Sequence, residues 1–429
     1  MNAFDIAAVL ITIAAVSGYL NHRVLHLPPT SGTLLVSLAS SLLVFAADTS
    51  FPHLGLRPTV TAFLGEIDFN ETLMHGMLAF LLFAGALQVD FRELFNHRWT
   101  IGALATFGVL LSTVMIGALT WWVFKLAGVG VPALPCFAFG ALISPTDPIA
   151  VMGLLKNLRA PRSLATQIAG ESLFNDGIGV VVFLATLSLV PLSDGAEAAA
   201  NGLNAARLAT FFLREVIGGV ALGLALGYLG YRMLKSIDDH PLELLITLSL
   251  AMFIYAASFW IHVSGPIAIV VAGLLIGNHG RRFAMSQRTR NHVDAFWNMI
   301  DELLNALLFL LLGLQVFLVQ AGPKAIVAGL LSIPIVLLAR VVSVGLPVAV
   351  MSVRRRFPRG LVPVLTWSGL RGGISVAMAL SLPPFPARDT LLACTYSVVV
   401  FSILVQGLTM RRVLLHYGVG EDRPAAQPI

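Results

Sequence analysis

Three acidic residues, Asp147, Glu171 and Asp176, lie with Thr146, Ser172 and Asn175 in two segments that are otherwise apolar enough to cross a bilayer. The segments are ISPTDPIAV, starting at residue 143, and QIAGESLFNDGIG, starting at residue 167. An ionised group at that depth costs at least about 2.5 kcal/mol, so such residues mark a functional site by default. Ser172 and Asp176 are i and i+4 on a helix and share a face, with Asn175 at its edge. That face offers a carboxylate, a hydroxyl and an amide oxygen. Hard cations take oxygen ligands, and these groups, with backbone carbonyls freed around Ser144 to Thr146, would replace the hydration shell of a small monovalent cation. Asp176 has no fixed counter-charge, and removal from water penalises its bare carboxylate. A proton and a cation would then compete for the same oxygens, which is the chemistry of exchange. Since Asn175 is neutral, a single titrating carboxylate implies one proton per monovalent cation and no net charge moved.

Glu171 lies about 140° around the helix from Asp176 and points elsewhere. Arg340, in the middle of an apolar segment, is the intramembrane cation available to it. The expected ion pair is structural, because removing one member of a buried pair typically costs about 3–5 kcal/mol.

Two interrupted helices must position these groups. Pro145 and Pro148 flank Thr146 and Asp147, and each proline lacks a backbone donor and disfavours helical geometry in the residue before it. Residues 366 to 375 read TWSGLRGGIS, with three glycines around Arg371. Breaks at membrane depth are tolerated where the backbone lines a cavity or is buried in protein. Half-helix ends carry partial charge, positive at N-termini and negative at C-termini. Asp147 can offset the first and Arg371 the second; the alternative for Asp147 is a plain N-cap.

The 429 residues are 57% hydrophobic and 11% charged, against roughly a quarter charged in soluble domains. The chain therefore reads as an all-α membrane protein. At about 20 apolar residues per span, it supplies about thirteen: 3–21, 31–47, 72–89, 100–127, 133–156, 163–190, 208–231, 242–262, 265–280, 296–320, 324–351, 361–382 and 390–410. The ninth is the shortest. The interrupted spans are the fifth and the twelfth, seven apart and running in opposite directions. That is the pattern of six-helix inverted repeats, spans 1 to 6 against 8 to 13, whose crossed, broken helices meet at the midplane.

Most of the 27 Lys and Arg residues fall in alternate connections, among them Lys156, Arg159 and Arg162, Arg281 and Arg282, and Arg354 to Arg356. By the positive-inside rule the N-terminus is outside and the C-terminus cytoplasmic. The basic excess is thus an orientation signal with lipid-headgroup contacts, and no nucleic-acid partner is implied. The opening residues MNAFD carry no Lys or Arg, and the apolar run to about Tyr19 is too long for a signal-peptide core, so a retained first span is expected. The connection 48–70 reads as a partly amphipathic surface segment and 191–207 as a flexible loop. Cys136 and Cys394 provide no disulfide framework or metal-ligand spacing, and no cofactor is expected. No HExxH, GxSxG or Cys/His nucleophile pair appears, which argues against an enzyme. A channel or sensor built on the same oxygens is the alternative in a different class.

The two central motifs, the eleventh-span arginine and GLRGGISVAMALSLP closely resemble the monovalent cation/proton antiporters that include NhaP-type bacterial sodium/proton antiporters and animal sodium/proton exchangers. The resemblance extends from FLLFAGALQVD at 80–90 through the last span. It implies an inner-membrane homodimer of thirteen-helix protomers, with sodium as the expected cation and potassium or lithium as alternatives. A dimerisation part (about 1–90 and 208–320) would hold a mobile core (about 100–190 and 324–415), leaving residues 416–429 as a short cytoplasmic tail. On this resemblance Asp176 is similar to the ion- and proton-binding aspartate, and Asn175 to the asparagine of the Asn-Asp pair in electroneutral members. Ser172 and the Thr146 carbonyl resemble further ligands, Asp147 the aspartate of the unwound helix, Glu171 with Arg340 the stabilising pair, and Arg371 the arginine of the second crossed helix. One position departs: many relatives have FEAG in the third span, where this chain has Ala84, so an acid bordering the ion path is missing.

Overall fold

The computed structural model describes residues 3–51, 53, 55–65, 71–190, 205–315, 322–353, 357, 358 and 360–419. Of the expected flexible loop at 191–207, residues 191–204 lie outside these residues, as does the end of the tail, whereas 205–207 already belong to the helix of the seventh span. Among the described residues the chain is helical without strands, and nine helices are long and apolar enough to cross a membrane. Shorter helices, some joined end to end, complete the remaining spans. Thr72–Met77 runs into Leu78–Gln88 for the third, and Gly265–Leu275 continues through Ile276–Gly280 for the ninth. The surface segment between the second and third spans contains a short helix, Leu56–Gly65.

The fifth span is broken as the prolines require. Ala133–Ile143 stops, residues 144–148 are extended or turned, and Ile149–Asn157 resumes. The twelfth divides into Leu361–Ser368 and Gly373–Leu380 around Gly369 to Gly372. The two breaks touch: Asp147 and Leu370 form an isolated antiparallel bridge, in which the Asp147 N–H donates to the Leu370 carbonyl at 2.8 Å. Each break thus satisfies a backbone group that the other exposes, which an apolar medium requires.

Two sets of spans pack most closely, and the sixth contacts both. The fourth (Arg98–Leu126), the first half of the fifth, the eleventh (Pro323–Ser352) and the thirteenth (Arg388–His416) pack closely on one another, and the sixth (Arg162–Leu187) joins them. The second (Pro29–Ser50) lies along the tenth (Gln287–Gln315), and the seventh (Ala205–Lys235), eighth (His240–Ile261), ninth and third form the other group. Close approach of the seventh and ninth spans needs small residues. A side chain at Gly219 would meet the Ser264 carbonyl, and one at Gly223 would meet Ala268 and Val271. This is the small-residue packing expected where helices meet in lipid. The first and seventh spans are the least covered by protein, and Leu42, Leu43, Leu126 and Trp260 add to an apolar outer surface.

Candidate functional site

The fifth, sixth and twelfth spans bring the sequence-selected residues together at the crossing. Asn175 fixes the non-helical break of the fifth span through two hydrogen bonds to Thr146. Its Nδ2 donates to Thr146 Oγ1 at 2.8 Å, and its Oδ1 accepts from the Thr146 N–H at 3.3 Å. Ser172 Oγ donates to the Thr146 carbonyl. Asp176, one helical turn beyond Ser172, is 8% exposed. With Pro145, Thr146, Asp147, Gly372, Ile374 and Ser375 it lines a cavity of about 10 Å³, room for about one water-sized occupant. The sixth span carries Glu171, Ser172, Asn175 and Asp176 on a helix without a break, which gives the site one rigid wall.

Asp147 is partly buried, and its Oδ1 accepts from the Ile149 N–H at 2.9 Å, capping the second half of the fifth span. This contact suits both readings of Asp147, because a cap at this helix end also places negative charge at the cavity rim. Arg371 caps a helix other than its own. Its Nη1 donates to the Ser144 and Pro145 carbonyls, at 2.5 and 2.7 Å, at the C-terminal end of the first half of the fifth span. The Ser144, Pro145 and Thr146 carbonyls, read from sequence as freed by the break, thus each accept a hydrogen bond, the first two from Arg371 and the third from Ser172, and Thr146 lies with Asp176 on the cavity wall. The Arg371 N–H donates to Ser402 Oγ at 2.8 Å, tying the second break to the thirteenth span.

Glu171 faces away from the cavity. Its Oε1 lies 2.5 Å from Arg340 Nη1, both residues are buried, and Arg340 Nη2 donates to the Leu365 carbonyl at 3.0 Å. The pair joins the sixth and eleventh spans to the end of the first half of the twelfth. The glycines around Arg371 do more than loosen the helix. A side chain at Gly369 would overlap the Arg340 guanidinium, and one at Gly372 would overlap the Asp147 carboxylate. Ser375, Ile374 and Ser402 were not selected from sequence. Ser375 and Ile374 lay within the GGIS stretch, whereas nothing local singled out Ser402. Ala84 is fully buried in the third span. Cys136 and Cys394 are both buried and unpaired.

Crossed interrupted helices, a buried carboxylate beside hydroxyl, amide and backbone oxygens, and a separate Glu-Arg pair define a class of secondary transporter. Residues 11–416 match the family described as sodium/hydrogen exchanger, transmembrane, and the chain belongs to that family. Relatives include the Na(+)/H(+) antiporter NhaP of Pseudomonas aeruginosa, 45% identical over 95% of both chains. The antiporter NhaH of Halobacillus dabanensis is 36% identical over 82% of this chain and 84% of its own. The fold is similar to that of the sodium proton antiporter MjNhaP1 of Methanocaldococcus jannaschii. That match has a TM-score of 0.72 at 18% identity and covers 96% of this chain and 97% of the other. The protein is accordingly a multi-pass membrane protein of an antiporter family.

Proposed function

We propose that the protein exchanges sodium for protons across the cell's inner membrane by alternating access, with Asp176 as the shared site. The observation that carries this reading is the near-complete burial of Asp176 on a cavity of single-ion size, beside the Thr146 oxygens held by Ser172 and Asn175. A bare carboxylate there is costly, so the site is occupied by a proton or a cation at each crossing. Either occupant neutralises it. Loaded, it can pass an apolar barrier; empty, it cannot. Asn175 supplies hydrogen bonds and no charge, so the exchange is one proton for one sodium ion and electroneutral.

The packing of the spans supports a division of labour. The fourth to sixth and eleventh to thirteenth would move as a core carrying the site, against a scaffold of the first to third and seventh to tenth. The scaffold's outer spans would pair two copies into a homodimer bathed in lipid. The basic connections support a cytoplasmic C-terminus and an N-terminus outside.

The test is internal pH in proteoliposomes after adding sodium, then lithium or potassium. Sodium-dependent proton movement that vanishes in Asp176→Asn, without current on a planar membrane, is expected. Faster exchange with potassium would make the protein a potassium/proton antiporter. Conductance without exchange would make it a channel and defeat the proposal.

A further inference from the structure

Ser375 is the third residue of the second half of the twelfth span, Gly373–Leu380, and lines the cavity that holds Asp176. It is 1% exposed. A buried helical serine commonly returns its hydroxyl to a carbonyl one turn back, and those around the crossing do so: Ser144 to Gly140, Ser343 to Arg340 and Ser368 to Leu365. Ser172 donates to the Thr146 carbonyl and Ser402 accepts from the Arg371 N–H. The Ser375 hydroxyl differs from all of these. Among the described residues it has no hydrogen-bond partner, and it is turned to the one space at the crossing that the protein leaves open beside Asp176.

The neutral oxygens that the fifth span brings to this cavity are already in use. The Thr146 carbonyl accepts from Ser172, and Thr146 Oγ1 accepts from Asn175 Nδ2. A hydroxyl has two acceptor lone pairs, and both of those on Ser375 are uncommitted. The cavity has room for about one water-sized occupant, so whatever sits against Asp176 also sits beside Ser375. A proton needs a single oxygen, whereas a hard cation gathers several. We propose that Ser375 Oγ is a ligand of the transported cation together with Asp176, so that sodium binding draws on the twelfth span as well as the sixth while proton binding draws on the sixth alone.

This proposal rests on the exchange reading, and its test separates the two. Initial rates of sodium-driven exchange are measured in proteoliposomes at several sodium concentrations and pH values, at constant ionic strength with choline replacing sodium. Ser375→Ala is expected to raise the KM for sodium three- to tenfold and to leave the inhibition constant for protons within twofold of wild type. A serine that only shapes the cavity, or only hydrogen-bonds the Asp176 carboxylate, would move both constants together. Should Ser375→Ala not fold, Ser375→Cys, which keeps a side chain of similar size and replaces the hard oxygen with a soft sulfur, carries the same expectation. A sodium KM within twofold of wild type in the folded variant, or a proton constant that shifts with it, overturns the proposal. In a second arm, thermal stabilisation by sodium is followed in detergent. Ser375→Ala should need three- to tenfold more sodium than wild type for the same rise in Tm; an equal requirement overturns the proposal. If the wild type binds sodium in this arm but moves no protons, the exchange reading falls, and this arm decides the role of Ser375 alone.

Discussion

Removing one member of the Glu171-Arg340 pair should destabilise the protein far more than removing both. Both side chains are buried, and Glu171 is 2% exposed, so each single substitution strands a charge at a typical cost of about 3–5 kcal/mol. Arg340→Met should be the worse of the two, because it also frees the Leu365 carbonyl that Arg340 caps. Glu171→Gln keeps an oxygen for the guanidinium and should sit at the lower end. Unfolding entropy near 2.1 cal/mol/K per residue, over 429 residues, gives roughly 1 °C per kcal/mol, so Tm should fall by about 3–5 °C. In the double variant no charge is stranded, and the loss should be smaller than the sum of the singles by about 2 kcal/mol or more. The assay is thermal unfolding of the purified protein in detergent, with size-exclusion chromatography as a check on folding. Single variants within about 1 °C of wild type, or strictly additive losses, would refute a structural pair.

Three further outcomes follow from the site. Ser172→Ala removes the donor to the Thr146 carbonyl, a loss of about 1 kcal/mol, and should raise the KM for sodium about fivefold in the exchange assay with little change in Tm. Gly372→Ala places a Cβ on the Asp147 carboxylate; it should lower Tm and abolish exchange, and exchange at the wild-type rate would show that the crossing tolerates separation. Competition also fixes the sign of the pH dependence. As pH falls, protons displace sodium from Asp176, so the apparent KM for sodium should rise, approaching about tenfold per pH unit at the acid end. Initial rates at several sodium concentrations across pH 5–9 check this.

Much of the fold could be read from local chemistry. Pro145 and Pro148 marked one broken helix and the glycines around Arg371 the other, and the structure joins the two breaks through Asp147 and Leu370. Helical spacing separated Glu171 from Asp176, and the two do face different partners. Spacing within one helix could not show that Arg371 would cap the fifth span instead of the twelfth, because that follows from the crossing geometry. Nor could it show that Gly369 and Gly372 make room for Arg340 and Asp147. Ser402 and Ile374 escaped for a similar reason. Each is unremarkable within its own helix and gains meaning only from what the tertiary packing sets beside it.

Sodium and a proton excluding each other at Asp176 can be tested without transport. Sodium is added to the purified protein in weakly buffered solution, and the protons released are counted with a pH indicator. The account predicts about one proton released per sodium bound in the wild type and none in folded Asp176→Asn. Sodium binding without proton release, or release that persists once Asp176 is neutralised, would contradict it.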